Sequence, residues 1–305
     1  MAAPNILCDC TGMSRTRWLE CRAHGPKGDI EYTVGGSDVA VIFGVSPWTT
    51  PLELWLIKKG RMKPKQPPNP DQLEMGHMME PIAAHFYAKK TGNLVTEDNH
   101  LYQHATLPYA LANIDRRYTR KEDGKPGILE CKAPTYHKVD EWEDGAFPIY
   151  YELQLRFYLA VLDVQYGAFA AIWGNNPAND LATPHIIRDQ VKEDAIFEKL
   201  DQWIWSLRRD KPPTMEEVRP QLAMASLARI YGASQKGLPT IEFPPKFEPQ
   251  LRKIAALQAE NAELSRMIKR NEEAMEAHSV RIAELMKEHE HGILTTTTDK
   301  LLVDF

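Results

Sequence analysis

Residues 109–132 constrain this chain more than any other stretch. The run Tyr109-Ala-Leu-Ala-Asn-Ile-Asp115-Arg-Arg is followed by a polar connection and then by Gly127-Ile-Leu-Glu130-Cys131-Lys132. The connecting Lys121-Glu-Asp-Gly-Lys-Pro126 has hairpin chemistry, so Asp115 and Glu130 are expected side by side at neighbouring strand ends. In a strand, residues two apart share a face; Glu130 and Lys132 therefore point one way and Cys131 the other. Two carboxylates and an ammonium converge. Oxygen donors of this kind suit Mg²⁺ or Mn²⁺, and a neighbouring lysine can orient or deprotonate a metal-polarised water for attack on a phosphodiester. A solvated strand face would carry the same residue types by chance, so the surroundings must decide.

The local charge supports a polyanionic substrate. From Asp115 to Lys138 there are seven Lys and Arg residues, Arg116 and Arg117 among them, against four acids. The net charge of −5 argues against broad, nonspecific coating of nucleic acid, yet this segment would accept a phosphate backbone. No run approaches the length of a membrane span and no basic-apolar-small signal opens the chain, so a cytoplasmic protein without a membrane partner is expected. Four cysteines in 305 residues do not form a disulfide framework. Cys8, Cys10, Cys21 and His24 include enough soft donors for zinc, but C-x-C is a poor chelating spacing, and free cysteines around a short helix are the preferred reading.

Helices are expected over residues 14–24 with Ser14 as N-cap, 51–59, 72–91, 150–162 and 190–209, and strands near 94–97, 109–113, 127–132, 166–173 and 185–188. The 72–91 helix carries Glu80 beside an apolar stripe of Ile82, Ala83, Phe86 and Tyr87, and the Pro-rich stretch 64–70 reads as a surface loop. Gly35-Gly36 lets the backbone approach a ligand, and Ser37 or Asp38 caps a short helix whose N-terminus could seat a phosphate. Gln154 and Tyr158 share a helix face. This order describes an α/β or α+β sandwich with a mixed central sheet flanked by helices. One domain is expected over residues 1–235.

The C-terminal part has a different character. A heptad runs through Leu251, Ile254, Leu257, Asn261, Leu264, Ile268, Asn271, Met275, His278, Ile282 and Leu285 without Gly or Pro. It reads as a long helix or coiled coil over 246–290, in which polar seam positions set register. The Thr run and the apolar close of 291–305 suggest a terminal β-hairpin.

Five motifs now stand in order: Gly-Gly-Ser37-Asp with Gly44-Val-Ser-Pro-Trp48; Gly76 with Glu80-Pro81 and Ala83; Asn-Ile-Asp115; Leu-Glu130-Cys-Lys132; and Gln154 with Tyr158. Together they resemble the YqaJ-like viral recombinases, relatives of phage λ exonuclease among the PD-(D/E)XK nucleases, over roughly residues 14–210. The resemblance implies a restriction-endonuclease-like core. It implies metal held by Asp115, Glu130 and the Cys131 carbonyl, with Glu80 helping and two Mg²⁺ ions per site. Lys132 would stand beside the attacking water and Gln154 would support the site, with Tyr158 packed behind it. Ser37 and Gly36 would belong to the seat of a terminal 5′-phosphate.

The implied activity is 5′→3′ exonuclease action on double-stranded DNA ends, leaving 5′-phosphate products and a strand for a RecT- or Beta-like single-strand annealing protein. A phage- or prophage-encoded homo-oligomer is implied, either a ring of three or a coil-mediated assembly. One departure stands out: λ-like members place an arginine seven residues before the serine, and here Ile30 occupies that position, leaving Arg22 or Lys27 as replacements. A structure-specific endonuclease or nickase on the same fold, and a non-catalytic DNA-binding module, are the competing readings. An iron–sulfur relative is disfavoured because no cysteine follows Cys131.

Overall fold

A computed structural model of the chain describes residues 3–65, 69–215, 218–232, 239–287, 291–295 and 300–304. The chain divides into two units, Met1–Ala233 and Ser234–Phe305. The first begins with β1 (Asn5–Asp9), α1 (Arg15–His24), α2 (Gly36–Ile42), α3 (Pro51–Lys58) and α4 (Pro70–Thr91). Side chains start these helices. Ser14 accepts from the Arg17 N–H at 3.3 Å, Asn69 from Gln72, and Thr50 exchanges bonds with Glu53 in a capping box. Next come β2 (Leu94–Glu97), β3 (His100–Gln103), β4 (Leu111–Ala112), β5 (Arg116–Thr119) and β6 (Pro126–Lys132). After a 3-10 segment at Tyr136–Gly145 follow α5 (Ile149–Leu162), β7 (Tyr166–Ile172), β8 (Leu181–Ala182), β9 (His185–Ile187), α6 (Gln190–Arg208) and α7 (Pro220–Tyr231).

The central sheet has the order β2-β5-β6-β7-β8, with β9 also paired to β7. Its β6–β7 pair is parallel and the others are antiparallel, so the sheet is mixed. A parallel pair needs a crossover, here the 3-10 segment and α5. Alternation along the strands covers both faces. Ile128, Phe169 and Ala171 pack with Leu155 and Leu159 of α5, whereas Leu129, Cys131, Ala168 and Ala170 pack with Ala83, Ala84 and Tyr87 of α4.

Two expectations need correction. The apolar run at 109–113 does not form the hairpin partner of β6; β4 pairs with β3 in a separate sheet of order β1-β3-β4. The partner is β5, whose Arg-Arg-Tyr-Thr sequence is too polar to read as a strand until its backbone is seen against β6. On α4, Ile82 is exposed and Ala84 takes its place on the buried stripe, because residues 83, 84 and 87 are those that face the sheet. The strands β1, β3 and β8 and the helix α7 have no counterpart in the sequence pattern.

The second unit contains α8 (Glu248–Met286) and the antiparallel pair β10 (His291–Thr295) and β11 (Lys300–Asp304), which is the terminal hairpin. The expected domain limit at 235, the middle of the Pro-rich loop (66–68) and most of the Thr run (296–299) lie outside the described residues. Among those described, no helix is long and apolar enough to cross a membrane.

Candidate active site

The β5–β6 hairpin positions the site. Its register pairs Arg116 with Leu129, so the preceding residue, Asp115, arrives beside Glu130. Asp115 Oδ2 accepts the Cys131 main-chain N–H at 2.8 Å, which fixes one carboxylate against the strand that carries the other. Glu130 is buried, as Ile128 is, on the α5 side of the sheet. Its Oε2 accepts from Lys132 Nζ at 2.8 Å and from Gln154 Nε2 at 3.0 Å. Gln154 also lies 3.3 Å from the Tyr158 hydroxyl, one helical turn along. The other Glu130 oxygen, Oε1, is buried without a hydrogen-bond partner among the described residues.

An unsatisfied carboxylate oxygen in a dry place is costly unless something neutralises it. Burial and the neighbouring Asp115 push Glu130 up to about 8. Burial would lower Lys132, but the Glu130 and Asp115 carboxylates outweigh it and hold the ammonium charged. Glu80 is raised too, by burial and then by Asp115, against the opposing pull of His77, whose Nδ1 lies 2.9 Å from Glu80 Oε1. Asp115 thus raises both glutamates, and three carboxylates gathered around one ammonium form a site with excess negative charge.

That is the donor set a hard divalent cation takes, and the orphaned Glu130 oxygen fits such an ion. Among the described residues no group of three His, Cys, Asp or Glu side chains already stands at metal-holding distances. Asp115 Oδ2 and Glu130 Oε2 are engaged by protein donors.

A cavity of about 350 Å³ opens over this cluster, lined by Glu80, Asp115, Arg116, Gln154 and Tyr158 and reached by Arg22 and Ser37. A second, of about 550 Å³, shares Arg22, Ser37 and Gln154 with it. Arg22 lies over the Trp18 ring at 4.5 Å, and one of its guanidinium nitrogens would be 3.0 Å from a Cβ built on Gly35. Lys27 lines neither cavity. Ile30, at the position of the missing arginine, packs on the small cluster of Cys21, Leu101 and Leu111. Cys8 and Cys10 join that cluster, while His24 lines the larger cavity.

Gly36 closes on Tyr158, whose ring would stand 2.5 Å from any Cβ there. Arg116 donates to the Asp115 carbonyl at 2.6 Å and faces the smaller cavity. Arg117 does not line it; it pairs with Asp98 and lies over Tyr102 at 5.2 Å. Sequence reasoning missed His77, for which His-x-x-Glu on a helix was the available signal, and Tyr151, which lies 4.9 Å from the Lys132 ammonium.

The fold and the site together define an α/β core with a carboxylate–lysine centre at a β-hairpin. Residues 17–165 match the YqaJ-like viral recombinase domain, just under half of the chain. It is 32% identical over 201 residues to the uncharacterized protein YqaJ of Bacillus subtilis (strain 168). The match covers 65% of this chain and 58% of that protein, so the chain spans less than two thirds of its relative's length. Among solved structures, an alkaline exonuclease from Laribacter hongkongensis, LHK-Exo, superposes with a TM-score of 0.51 at 20% identity, covering 64% of this chain and 94% of that one. At that identity the likeness is one of fold.

Proposed function

We propose that the chain is a metal-dependent deoxyribonuclease that degrades one strand of double-stranded DNA from its 5′ end. The observation that carries the reading is the buried Glu130, hydrogen-bonded to Lys132 and Gln154, beside Asp115 and with one oxygen unsatisfied. A scaffold protein has no physical need for such a cluster. The match of residues 17–165 to the YqaJ-like viral recombinase domain and the fold shared with an alkaline exonuclease support the same class.

Asp115, Glu130, Glu80 and the Cys131 carbonyl would hold Mg²⁺, with Mn²⁺ able to replace it and two ions as the full complement. When bound, the ions supply Lewis-acid polarisation of the attacking water and of the phosphodiester. The chain's own groups do the rest. Lys132, kept as an ammonium, donates toward the water or a phosphate oxygen and so orients rather than deprotonates. Gln154 fixes the Glu130 carboxylate, and Tyr158 fixes Gln154. Attack at phosphorus with departure of the 3′-oxygen leaves the 5′-phosphate on the product. Arg22 and Ser37, at the junction of the two cavities, take the terminal phosphate in place of the arginine that Ile30 replaces. The 3′ strand left behind would pass to an annealing protein.

The test is incubation with end-labelled linear duplex and with covalently closed circular duplex in Mg²⁺. Wild type should shorten the linear DNA and leave the circle closed. Nicking of the circle would establish the endonuclease reading instead. Glu130→Gln and Lys132→Ala should each keep less than about a tenth of the rate, since each removes a group acting on the metal or its water. Full activity in either variant would sink the assignment.

A further inference from the structure

Trp48 is 55% exposed on the loop between α2 and α3, an unusual place for the largest apolar side chain. Its loop is pinned: the N–H groups of Trp48 and Thr49 both donate to the buried Ser46 hydroxyl, and the N–H groups of Val45 and Ser46 donate to the Ala40 carbonyl. The indole is thus presented, not loosely displayed. Its ring meets Tyr150 edge-on at 5.2 Å, and the Tyr150 hydroxyl is tied to Glu141 at 2.9 Å. The Lys138 ammonium lies 5.7 Å from the indole and 5.8 Å from the Tyr150 ring. From there the aromatic path runs inward. Tyr150 lies 4.5 Å from Tyr151, and Tyr151 lies 4.9 Å from the ammonium of Lys132. Trp48, Tyr150, Tyr151 and Gln154 line the same cavity of about 550 Å³, which opens on Arg22 and Ser37.

We infer that Trp48 and Tyr150, with Lys138 beside them, form a stacking platform for an unpaired nucleobase of a DNA strand entering the site. A ligand for flat aromatic faces bordered by a cation has a flat, apolar face and negative charge at its edge, which describes a nucleotide. Bases inside a duplex have both faces covered by their neighbours, so only a terminal or unpaired base can offer one. From Tyr150 the platform reaches Lys132 in two contacts, through Tyr151, and therefore holds a nucleotide close to the one being cut. Its identification with DNA rests on the nuclease reading, while its physical content is base-dependent binding, which needs no catalysis.

The experiment uses the full chain in EDTA, so that nothing is cleaved. Fluorescence anisotropy follows binding of a labelled, 5′-phosphorylated oligothymidylate and of an abasic strand of equal length and charge. Trp48→Ala should weaken oligothymidylate binding by roughly tenfold, with Trp48→Phe staying within about threefold, because stacking needs a ring at that position. Neither change should alter binding of the abasic strand. Tryptophan emission of the wild-type protein should be quenched by oligothymidylate and not by the abasic strand, which reads the platform without a substitution; Trp48→Phe should lose that quench. Equal oligothymidylate affinity in Trp48→Ala and wild type, or an equal loss for both strands, would overturn the platform. A wild-type chain that binds the oligonucleotide base-dependently yet cuts nothing with Mg²⁺ or Mn²⁺ would instead sink the nuclease reading and leave the platform standing.

Discussion

At Glu130 a metal ion and a proton compete for the same buried carboxylate. Burial and then Asp115 push the Glu130 carboxyl up, to about 8, against the pull of the Lys132 ammonium. A raised carboxyl favours the folded state below its folded value. Its contribution is lost as pH climbs from the ordinary carboxyl range, ~4.3, to about 8. Metal binding reverses the balance by taking the proton's place. Calorimetry of Mg²⁺ binding at pH 7 should therefore show proton release, read as an enthalpy that varies with the buffer, and an affinity that rises with pH up to that range. A buffer-independent enthalpy would show that Glu130 is already ionised against Lys132 before the metal binds. Asp115→Asn should bind Mg²⁺ more weakly, since an amide replaces a charged ligand.

Asp98 behaves in the opposite sense. Burial would raise it, but hydrogen bonds from the Tyr102 hydroxyl at 2.7 Å, from His100 and from Arg117 outweigh burial and hold it below the usual range. A depressed carboxyl stabilises the fold above its unfolded value, ~3.9, and that stability disappears as pH falls through the folded value. Asp98→Asn should cost about 1–3 kcal/mol at pH 6 and flatten the fall in urea midpoint below about pH 4. An unchanged pH profile would contradict this.

At the scale of elements, the decisive packing is α2 against α5. Gly36 begins α2 and is buried against the Tyr158 ring, which in turn stands behind Gln154. A methyl group placed 2.5 Å from that ring must move it. Gly36→Ala should therefore destabilise the chain by about 1–3 kcal/mol and lower activity through Gln154, although it removes no polar group. Thermal melts of Gly36→Ala, Tyr158→Leu and the double variant test the origin: strain at this contact predicts that the double costs clearly less than the two singles together. Additive losses would place the effect elsewhere. The same contact gives the paired glycines at 35 and 36 different physical reasons, since Gly35 faces the Arg22 guanidinium rather than a core side chain.

For the whole molecule, α8 is the open feature. Its heptad residues are largely exposed along a 39-residue helix, Ile254 at 52% and Ile268 at 58% for example. An apolar seam of that length is a proposal for association through the helix, with Asn261 and Asn271 setting register. Ending the chain after about residue 245 should leave DNA degradation by residues of the first unit in place while changing the mass measured by light scattering. A folded but inactive truncation would show that the second unit completes the site, and an unchanged mass would remove α8 from assembly.

The sequence by itself determined the hairpin chemistry, the shared face of Glu130 and Lys132 with Cys131 opposite, the helix carrying Gln154 and the long C-terminal helix. Each follows from periodicity or local turn preference, which act over a few neighbouring residues. It did not determine that residues 109–113 leave the central sheet, because a two-residue strand is defined by its partner, β3, and not by its own pattern. Nor could it show Arg117 committed to Asp98, the Trp48–Tyr150–Tyr151 path to Lys132, or Arg22 brought to Ser37 from a different helix. Those are contacts between residues distant in the chain. Only the closing of α1, α2 and α5 around the β5–β6 hairpin brings them together, and with them the low-dielectric surroundings that give Glu130 its unusual charge behaviour.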